Sequence, residues 1–317
     1  MLVHLANRLM HALIVILAVS LCVFFVMYKA GDPVELLLPP DATQQQVEDL
    51  RRHLGLDQPF WVQYGRFLKN ALQGDVGKSF IYGQSALTVV MERLPATLEL
   101  ATAAMILAVF LGIPLGVVAS MNPQSPVSKS IMFFSLAGIS VPTFWTGMVL
   151  VLVFAVTWNV LPSSGRADVG TFASFVTVDG LRHLLLPAVT LCLFQLALIL
   201  RLTKSGMMEV LLQDYIKLAR AKGLPERVVV LLHALKNTLI PVVTIIGIQF
   251  GELIAFTIVT ETIFAWPGTG KLIIDSIQNL DRPVVVAYLM VVAVIFVLIN
   301  LLVDVIYTFI DPRVRAR

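Results

Sequence analysis

Long apolar runs alternate with short polar segments along the chain, and six of the runs are almost free of charged residues. These runs occupy residues 9–28, 98–120, 131–157, 184–202, 238–262 and 284–307. A helix needs about 20 consecutive apolar residues to cross the hydrocarbon of a bilayer. The pattern therefore predicts an all-α integral membrane protein with six transmembrane helices.

One long hydrophilic insertion, residues 30–96, separates the first two runs. Thr43 and Gln46 have capping-box spacing and predict the start of an amphipathic helix, and Pro59 and Gly74 bracket a second one. The apolar positions of the first predicted helix are Val47, Leu50 and Leu54.

We expect these two helices to form an outer lobe on the membrane face. Packing at the membrane surface is the favoured role, and contact with a substrate or a delivery protein is the alternative. The predicted division of the chain is residues 1–96, the first span with this lobe, and residues 97–317, a core with five spans.

Composition supports a membrane protein, because 58% of the 317 residues are apolar and only 14% are charged. Soluble domains carry about a quarter charged residues. The net charge of +3 comes without a nucleic-acid-binding motif, so no nucleic-acid partner is expected. Cys22 and Cys192 lie in apolar runs and predict neither a disulfide framework nor a metal site. The first run lacks a small-residue cleavage site, which indicates a retained helix.

With the N-terminus inside, the inner connecting segments are 1–8, 121–130, 203–237 and 308–317, which hold Arg8, Lys129, the basic residues of 203–237 and the C-terminal Arg313, Arg315 and Arg317. The short outer loops near 158–183 and 263–283 together hold fewer basic residues, with acids among them. Basic residues favour the cytoplasmic side of a membrane. Both termini and the segment 201–241 are therefore predicted to be cytoplasmic.

That segment, residues 201–241, carries seven Lys or Arg and three acids. Asp214 is predicted to cap a helix of about eight residues, which Gly223 and Pro225 close. We call residues 214–223 the prong. An isolated helix of under roughly 12 residues is marginal in water, so a partner surface must hold it.

A second helix is predicted to begin at Pro225 and Glu226. Its predicted apolar face consists of Val228, Leu231, Leu232 and Leu235.

A few polar residues interrupt the apolar runs. Glu252 lies inside the fifth run, where an acid costs about 3 kcal/mol, so it should face protein or a water-filled path. Gln195 can hydrogen-bond across helices. Glu261 and Asp304 lie near the ends of runs, where we expect them to be solvated or paired.

Small residues and prolines indicate how the spans pack and bend. Two pairs of glycines spaced four apart, Gly112 with Gly116 and Gly247 with Gly251, predict close helix packing. Four prolines can start or kink helices: Pro114, Pro142, Pro187 and Pro241.

Catalytic motifs are missing from the sequence. The five histidines are scattered without metal-ligand spacing. GDVGKS at 74–79 resembles a phosphate-binding loop superficially, but Leu72 stands where the first glycine is required. We therefore expect a protein that is not an enzyme and does not hydrolyse ATP.

Several stretches carry a family resemblance, in order along nearly the whole chain. They are GLDQP at 55–59, QYGRFL at 63–68, GDVGKS at 74–79, LPSSGR at 161–166, DYIKLARAKGLPERVVVLLHALKNTLIP at 214–241, ETIFAWPGTGKLIIDSI at 261–277 and NLLVDVIYTFIDPRVR at 300–315. The chain resembles the permease subunits of ABC importers of the dipeptide, oligopeptide and nickel branch, in the version with a long first outer loop.

The resemblance implies the transmembrane fold of a type I importer in a bacterial inner membrane. It also implies that the prong is a coupling helix that enters a groove on an ATP-binding subunit. The residues that would carry this contact are Asp214, Lys217, Ala219, Arg220, Ala221, Lys222, Gly223 and Leu224. Close packing would fall to Ala219 and Ala221, whereas Arg220 and Lys222 would meet acids on the partner.

Two positions depart from the general importer motif. In the general motif, an acidic residue and two alanines precede a glycine, and a Leu-Pro pair follows that glycine. Here Lys217, Leu218 and Ala219 stand at the positions of the triplet, and Leu235 and Lys236 stand at the positions of the pair, so the acid and the proline are missing.

The partners implied are a second permease, two ATP-binding subunits that hold ATP and Mg²⁺, and an extracytoplasmic binding protein. The cargo implied is a short peptide, with nickel chelates, glutathione or oligosaccharides as alternatives. Glu252 and Gln195 are candidates for the translocation path. Two alternatives from other classes are an ion-coupled secondary transporter, which would have repeats and ionisable pairs in its spans, and an intramembrane enzyme, which would have a catalytic constellation.

Overall fold

The computed structural model describes residues 2–29, 34, 38–39, 42–53, 55–167 and 173–310, most of which are helical. Thirteen α-helices of the described residues are numbered here in chain order: α1 (Leu2–Lys29), α2 (Gln44–His53), α3 (Phe60–Ala71), α4 (Ala86–Met121), α5 (Pro126–Ser140), α6 (Thr143–Leu150), α7 (Val178–Leu211), α8 (Asp214–Ala221), α9 (Glu226–Val228), α10 (Lys236–Phe256), α11 (Ile258–Ile263), α12 (Thr269–Gln278) and α13 (Arg282–Ile310). Two π-helical segments, Val151–Thr157 and Val229–Leu235, and a 3₁₀ turn, Ala173–Phe175, complete the described helices.

Four of the described helical stretches are long and apolar enough to cross a membrane: Ala86–Met121, Val178–Leu211, Glu226–Phe256 and Arg282–Val303. A fifth arises if Pro126–Ser140 and Thr143–Thr157 count as one span. Helix α1 contributes a shorter apolar stretch, Leu13–Val26. The all-α membrane fold is confirmed, and these stretches are consistent with the six predicted spans.

The predicted run 131–157 is not one straight helix. Helices α5 and α6 meet at an angle of 103°. Val141 is extended between them, with φ −87° and ψ 127°, and Pro142 precedes the first residue of α6. Proline disfavours helical backbone at the residue before it and cannot donate a backbone hydrogen bond, which explains the break. Pro187 and Pro241, by contrast, lie inside α7 and α10.

Two compact units make up the chain, residues 1–95 with 267–297, and residues 96–266 with 298–317. The predicted domain division at residue 96 stays a prediction. The C-terminal basic residues used to orient the chain, Arg313, Arg315 and Arg317, lie outside the described residues.

In the first unit, the predicted outer helices form at the expected positions. Thr43 N donates to Gln46 Oε1 at 2.9 Å, and Gln46 N donates to Thr43 Oγ1 at 3.4 Å, which confirms the capping box at the start of α2. Leu54 lies outside the described residues.

Helix α3 packs against α1 through aromatic rings. The ring centroid of Phe24 on α1 is 5.7 Å from Phe60, 5.5 Å from Tyr64 and 5.3 Å from Phe67. The Tyr64 and Ser20 hydroxyl oxygens are 2.8 Å apart and share a hydrogen bond. This arrangement supports a packing role for α3.

In the second unit, α7 packs against α5, α6 and α10. Gly112 and Gly116 of α4 lie against Ile199 and Thr203 of α7, which confirms the packing role of this pair. Gly247 of α10 lies against Val303 of α13.

Replacing Gly116 with alanine should destabilise the second unit. The added Cβ would stand 2.7 Å from Thr203 Cβ and 2.8 Å from the Leu200 carbonyl oxygen. Overpacking of this kind costs about 1–3 kcal/mol, and thermal unfolding in detergent micelles would measure it.

The matched control is Gly138→Ala in helix α5, where the nearest atom to the added Cβ is 3.6 Å away. This variant should unfold at or slightly above the wild-type temperature, because alanine favours a helix over glycine. Equal unfolding temperatures for the two variants would contradict the packing role of Gly116.

Candidate functional site

The prong forms the expected eight-residue helix, α8, but Asp214 does not cap it. Gln213 is the N-cap, with ψ 150°, and its carbonyl oxygen accepts from Lys217 N at 3.2 Å. Asp214 stands in the first turn, where its Oδ1 accepts from Lys217 Nζ at 2.8 Å. The predicted cap is therefore wrong by one residue. A carboxylate in the first turn still stabilises the helix through its dipole.

Gly223 closes the prong as predicted. It has φ +77°, and its N–H donates to the Arg220 carbonyl oxygen at 2.9 Å, while Leu224 N donates to the Ala219 carbonyl oxygen at 3.3 Å. This pair of hydrogen bonds is the Schellman motif, which requires left-handed backbone at the residue after the C-cap.

One face of the prong is buried in its own chain. Ile216 and Ala219 belong to a buried apolar cluster that the end of α7 and the following π-segment complete. The other cluster members are Met207, Val229, Val230 and Ala234. The packing surface expected to hold so short a helix is therefore present.

The other face of the prong is exposed. It presents Asp214, Lys217, Ala221, Lys222 and Leu224, together with Tyr215 and Leu218. Ala219, one of the residues predicted to contact a partner subunit, therefore packs in the buried apolar cluster of its own chain.

Arg220 is engaged by an acid of its own chain. Its Nη2 lies 2.6 Å from Glu226 Oε1, and its Nε lies 3.2 Å from Glu226 Oε2. The hydrogen bonds to Glu226 raise the pKa of Arg220 above its ordinary value. The pair ties the end of the prong to the start of α9.

The buried residues of the segment after the prong differ from those of the predicted apolar face. Val229–Leu235 is π-helical, and its buried residues are Val229, Val230 and Ala234. Leu231 and Leu232 of the predicted apolar face are exposed by 55% and 63%. The prediction assumed 3.6 residues per turn, whereas π-type hydrogen bonds join residues five apart and rotate the buried face.

Gln195 and Glu252, the two candidates for a translocation path, line the same cavity of about 360 Å³. Gln195 lies on α7 and is 4% exposed, and its Oε1 accepts from Gln249 Nε2 of α10 at 3.0 Å. The predicted hydrogen bond of Gln195 across helices is confirmed. The other wall residues are Thr143, Phe144, Leu191, Phe194, Leu253, Phe256, Val259 and Thr260.

Glu252 is exposed at this cavity. Within the described part of the chain, its carboxylate makes no hydrogen bond and no ion pair. An acid on a membrane-spanning helix that faces a cavity marks a place where a polar molecule can bind.

Family models match nearly the whole sequence. The model described as "Binding-protein-dependent transport system inner membrane component" matches residues 112–316, and the model for the N-terminal part of such membrane components matches residues 1–101. The chain belongs to the family of binding-protein-dependent transport system inner membrane components.

Relatives of known type agree with this assignment. The dipeptide transport system permease protein DppB of Alkalihalophilus pseudofirmus is 38% identical over 332 residues, which cover 99% of this chain and 100% of the relative. DppB of Escherichia coli K12 is 39% identical over 92% of both chains. The oligopeptide transport system permease protein AppB of Bacillus subtilis is 38% identical over 98% of this chain and 99% of the relative.

The fold is also found among solved structures. The inward-facing MetNI methionine ABC transporter contains a chain that matches 70% of this chain and 96% of its own length, with a TM-score of 0.54 and 14% identity. At that identity the likeness shows a shared fold. This inner membrane component therefore has the fold of an ABC importer's membrane subunit.

Sequence reasoning missed a buried ion pair in this transport component. Glu99 of α4 is 0% exposed, its Oε2 lies 2.7 Å from Arg166 Nε, and its Oε1 accepts from Ser174 N at 3.0 Å. The Arg166 guanidinium also lies 6.0 Å from the centre of the Trp266 ring, whose Nε1 donates to the Ala96 carbonyl oxygen at 2.8 Å. The only sequence signal was an acid at the start of an apolar run.

Glu261 is paired within the second unit, as one of the two expected outcomes. It is 0% exposed, and its Oε1 accepts from Thr97 Oγ1 at 2.7 Å and from Thr257 Oγ1 at 3.0 Å. The side chain of Asp304 lies outside the described residues.

Hydrogen bonds within the first unit join the GDVGKS segment to the residue that precedes α13. The Ser79 hydroxyl donates to the buried Asp281 carboxylate, which also accepts from Phe80 N at 3.3 Å. Asp281 directly precedes α13. The Ser79 hydroxyl is therefore hydrogen-bonded within the protein.

Glu99→Gln should destabilise the transport component by about 1–3 kcal/mol, because it removes the buried negative charge that pairs with the partly exposed Arg166. Denaturant unfolding in detergent micelles would measure this loss.

The control is Glu92→Gln in the same helix, because Glu92 is exposed. This change should alter stability by less than about 0.5 kcal/mol. An E99Q protein as stable as E92Q would refute a stabilising role for the pair.

Proposed function

We propose that this membrane component is the permease subunit of an ATP-driven importer of short peptides, and that it forms half of the translocation path. The observation that carries the proposal is the prong, a helix capped at its C-terminal end, braced on one face and exposed on the other. Relatives named for dipeptide and oligopeptide transport support the cargo.

The proposed assembly contains a second permease, two ATP-binding subunits and an extracytoplasmic binding protein. ATP and Mg²⁺ bind to the ATP-binding subunits, and this chain contributes no catalytic group. The exposed Tyr215, Leu218 and Leu224 offer an apolar contact surface to the nearer ATP-binding subunit, and Lys217 and Lys222 flank it with positive charge. Apolar contact residues with a charged rim are typical of protein interfaces.

Movement of the ATP-binding subunits is transmitted through the prong as one rigid piece. Ile216 and Ala219 are packed on the end of α7, and the Arg220–Glu226 pair holds the other side. Because packed apolar contacts resist deformation, displacement of the prong displaces α7 and α10 with it. Those two helices carry Gln195 and Glu252, so the cavity changes shape when the prong moves.

The proposed orientation places both termini and the prong in the cytoplasm and the outer lobe, with Lys78, outside. In a chain with Cys22 and Cys192 replaced by alanine, Lys222→Cys should react with a membrane-impermeant maleimide only after the cells are permeabilised. Lys78→Cys, also an exposed position, should react in intact cells. Reaction of Lys222→Cys in intact cells would refute the orientation.

Gly223→Val should abolish ATP-dependent uptake of dialanine by the complete importer. A β-branched residue resists the φ of +77°, and no atom stands within 4 Å of the added Cβ, so the effect comes from the backbone of the prong alone. Uptake into proteoliposomes with and without internal ATP would measure the effect.

The matched control is Gly74→Val, because Gly74 has φ +80° and the same open surroundings but lies in the outer lobe. It should retain uptake, as should Gly223→Asn, since asparagine tolerates left-handed backbone. Normal uptake by G223V would contradict the role of the prong. Wild-type uptake that continues without ATP would contradict the importer class and favour an ion-coupled transporter.

A further inference from the structure

We infer that the Glu252 carboxylate binds the free α-ammonium group of the cargo peptide, so that the permease itself selects peptides with an unblocked amino terminus. This inference rests on the proposed function and deepens it. It concerns the cavity between α6, α7, α10 and α11, whose wall residues all belong to the second unit.

The charge of the cavity is the first reason. Glu252 is the one ionisable residue among the ten that line it, and its carboxylate has no partner within the described part of the chain. A carboxylate that is the single charge of a largely apolar wall attracts a cation. An ammonium group supplies both the charge and up to three hydrogen-bond donors.

The second reason is the polar group opposite. The Oε1 of Gln195 already accepts from Gln249 Nε2, and the amide nitrogen of Gln195 keeps its N–H donors for a ligand. An N–H donor suits the first carbonyl oxygen of a peptide. Glu252 and Gln195 therefore complement the two groups that every peptide carries at its amino terminus.

Thr260 is a further polar residue of the wall, and unlike Gln195 it has no hydrogen-bond partner within the described residues. It is 1% exposed. A buried hydroxyl without a partner costs free energy, which a polar ligand recovers. This observation is independent of Glu252 and supports a polar occupant of the cavity.

The rest of the wall suits side chains of varied size. Phe144, Phe194 and Phe256 are exposed by 48%, 48% and 75%. Aromatic rings accept apolar side chains by contact and interact favourably with a nearby ammonium. Volumes of roughly 300–1,000 Å³ are typical of small-molecule sites, and this cavity of about 360 Å³ fits a dipeptide. Recognition of main-chain groups with a permissive apolar wall allows many peptides to pass.

The test compares two cargoes in the complete importer reconstituted in proteoliposomes. Dialanine carries the α-ammonium, and lactoyl-alanine replaces it with a neutral hydroxyl of similar size. Each is supplied at a concentration that saturates the binding protein, as measured separately on that protein, so selection by the binding protein does not enter the uptake rate.

Wild type should carry dialanine at least about tenfold faster than lactoyl-alanine, because a hydrogen bond to a charged group is lost with the ammonium. Glu252→Gln should lower the rate of dialanine uptake by a similar factor and leave the rate of lactoyl-alanine uptake unchanged, so that the preference for dialanine disappears. Glu252→Asp, which keeps the charge, should keep the preference. The control Glu209→Gln, at an exposed acid outside the cavity on the cytoplasmic end of α7, should behave as wild type.

Three results would overturn the inference. If E252Q took up dialanine as fast as wild type, or if its uptake of both cargoes were slower by the same factor, Glu252 would not recognise the ammonium group. If E252Q failed to copurify with the second permease, Glu252 would belong to the subunit interface. If wild type carried no dialanine at all, the peptide cargo of the proposed function would fail together with the inference, whereas the first two results leave the proposed function standing.

Discussion

A helix of eight residues needs an external surface to hold it, and this requirement organises the part of the molecule around the prong. Ile216 and Ala219 supply the buried side of α8, and the end of α7 and the π-segment supply the surface. The Schellman motif at Gly223 satisfies carbonyl groups that would otherwise face only water. Because the same α7 carries Gln195 further along its length, the prong and the cavity are connected by one continuous helix.

Local sequence signals predicted much of this architecture. Apolar length identified the membrane-spanning helices, and the spacing of Thr43 and Gln46 identified the start of α2. Gly223 was predicted as the end of the prong because few other residues adopt its backbone conformation. These features depend on neighbours within a few residues, which a single sequence displays directly.

Features that depend on distant partners could not be predicted in the same way. Glu99 and Arg166 are 67 residues apart, and Ser79 and Asp281 are 202 residues apart. Nothing in the spacing of these residues specifies which acid meets which donor, because the fold alone brings them together. Asp214 shows a local failure: Gln213 adopts the extended N-cap backbone, and Asp214 therefore enters the first turn and pairs with Lys217.

The π-segment Val229–Leu235 has a consequence for the comparison of this protein with its relatives. Each turn of such a segment contains one residue more than a turn of α-helix needs. Deleting a single residue of the segment would restore regular α-helix. The residues before and after the segment would then be one position closer in the sequence. Relatives that lack the segment should therefore show a one-residue gap between the prong and α10 when their sequences are aligned. The length of that interval would then distinguish two groups within the family, whatever their cargo.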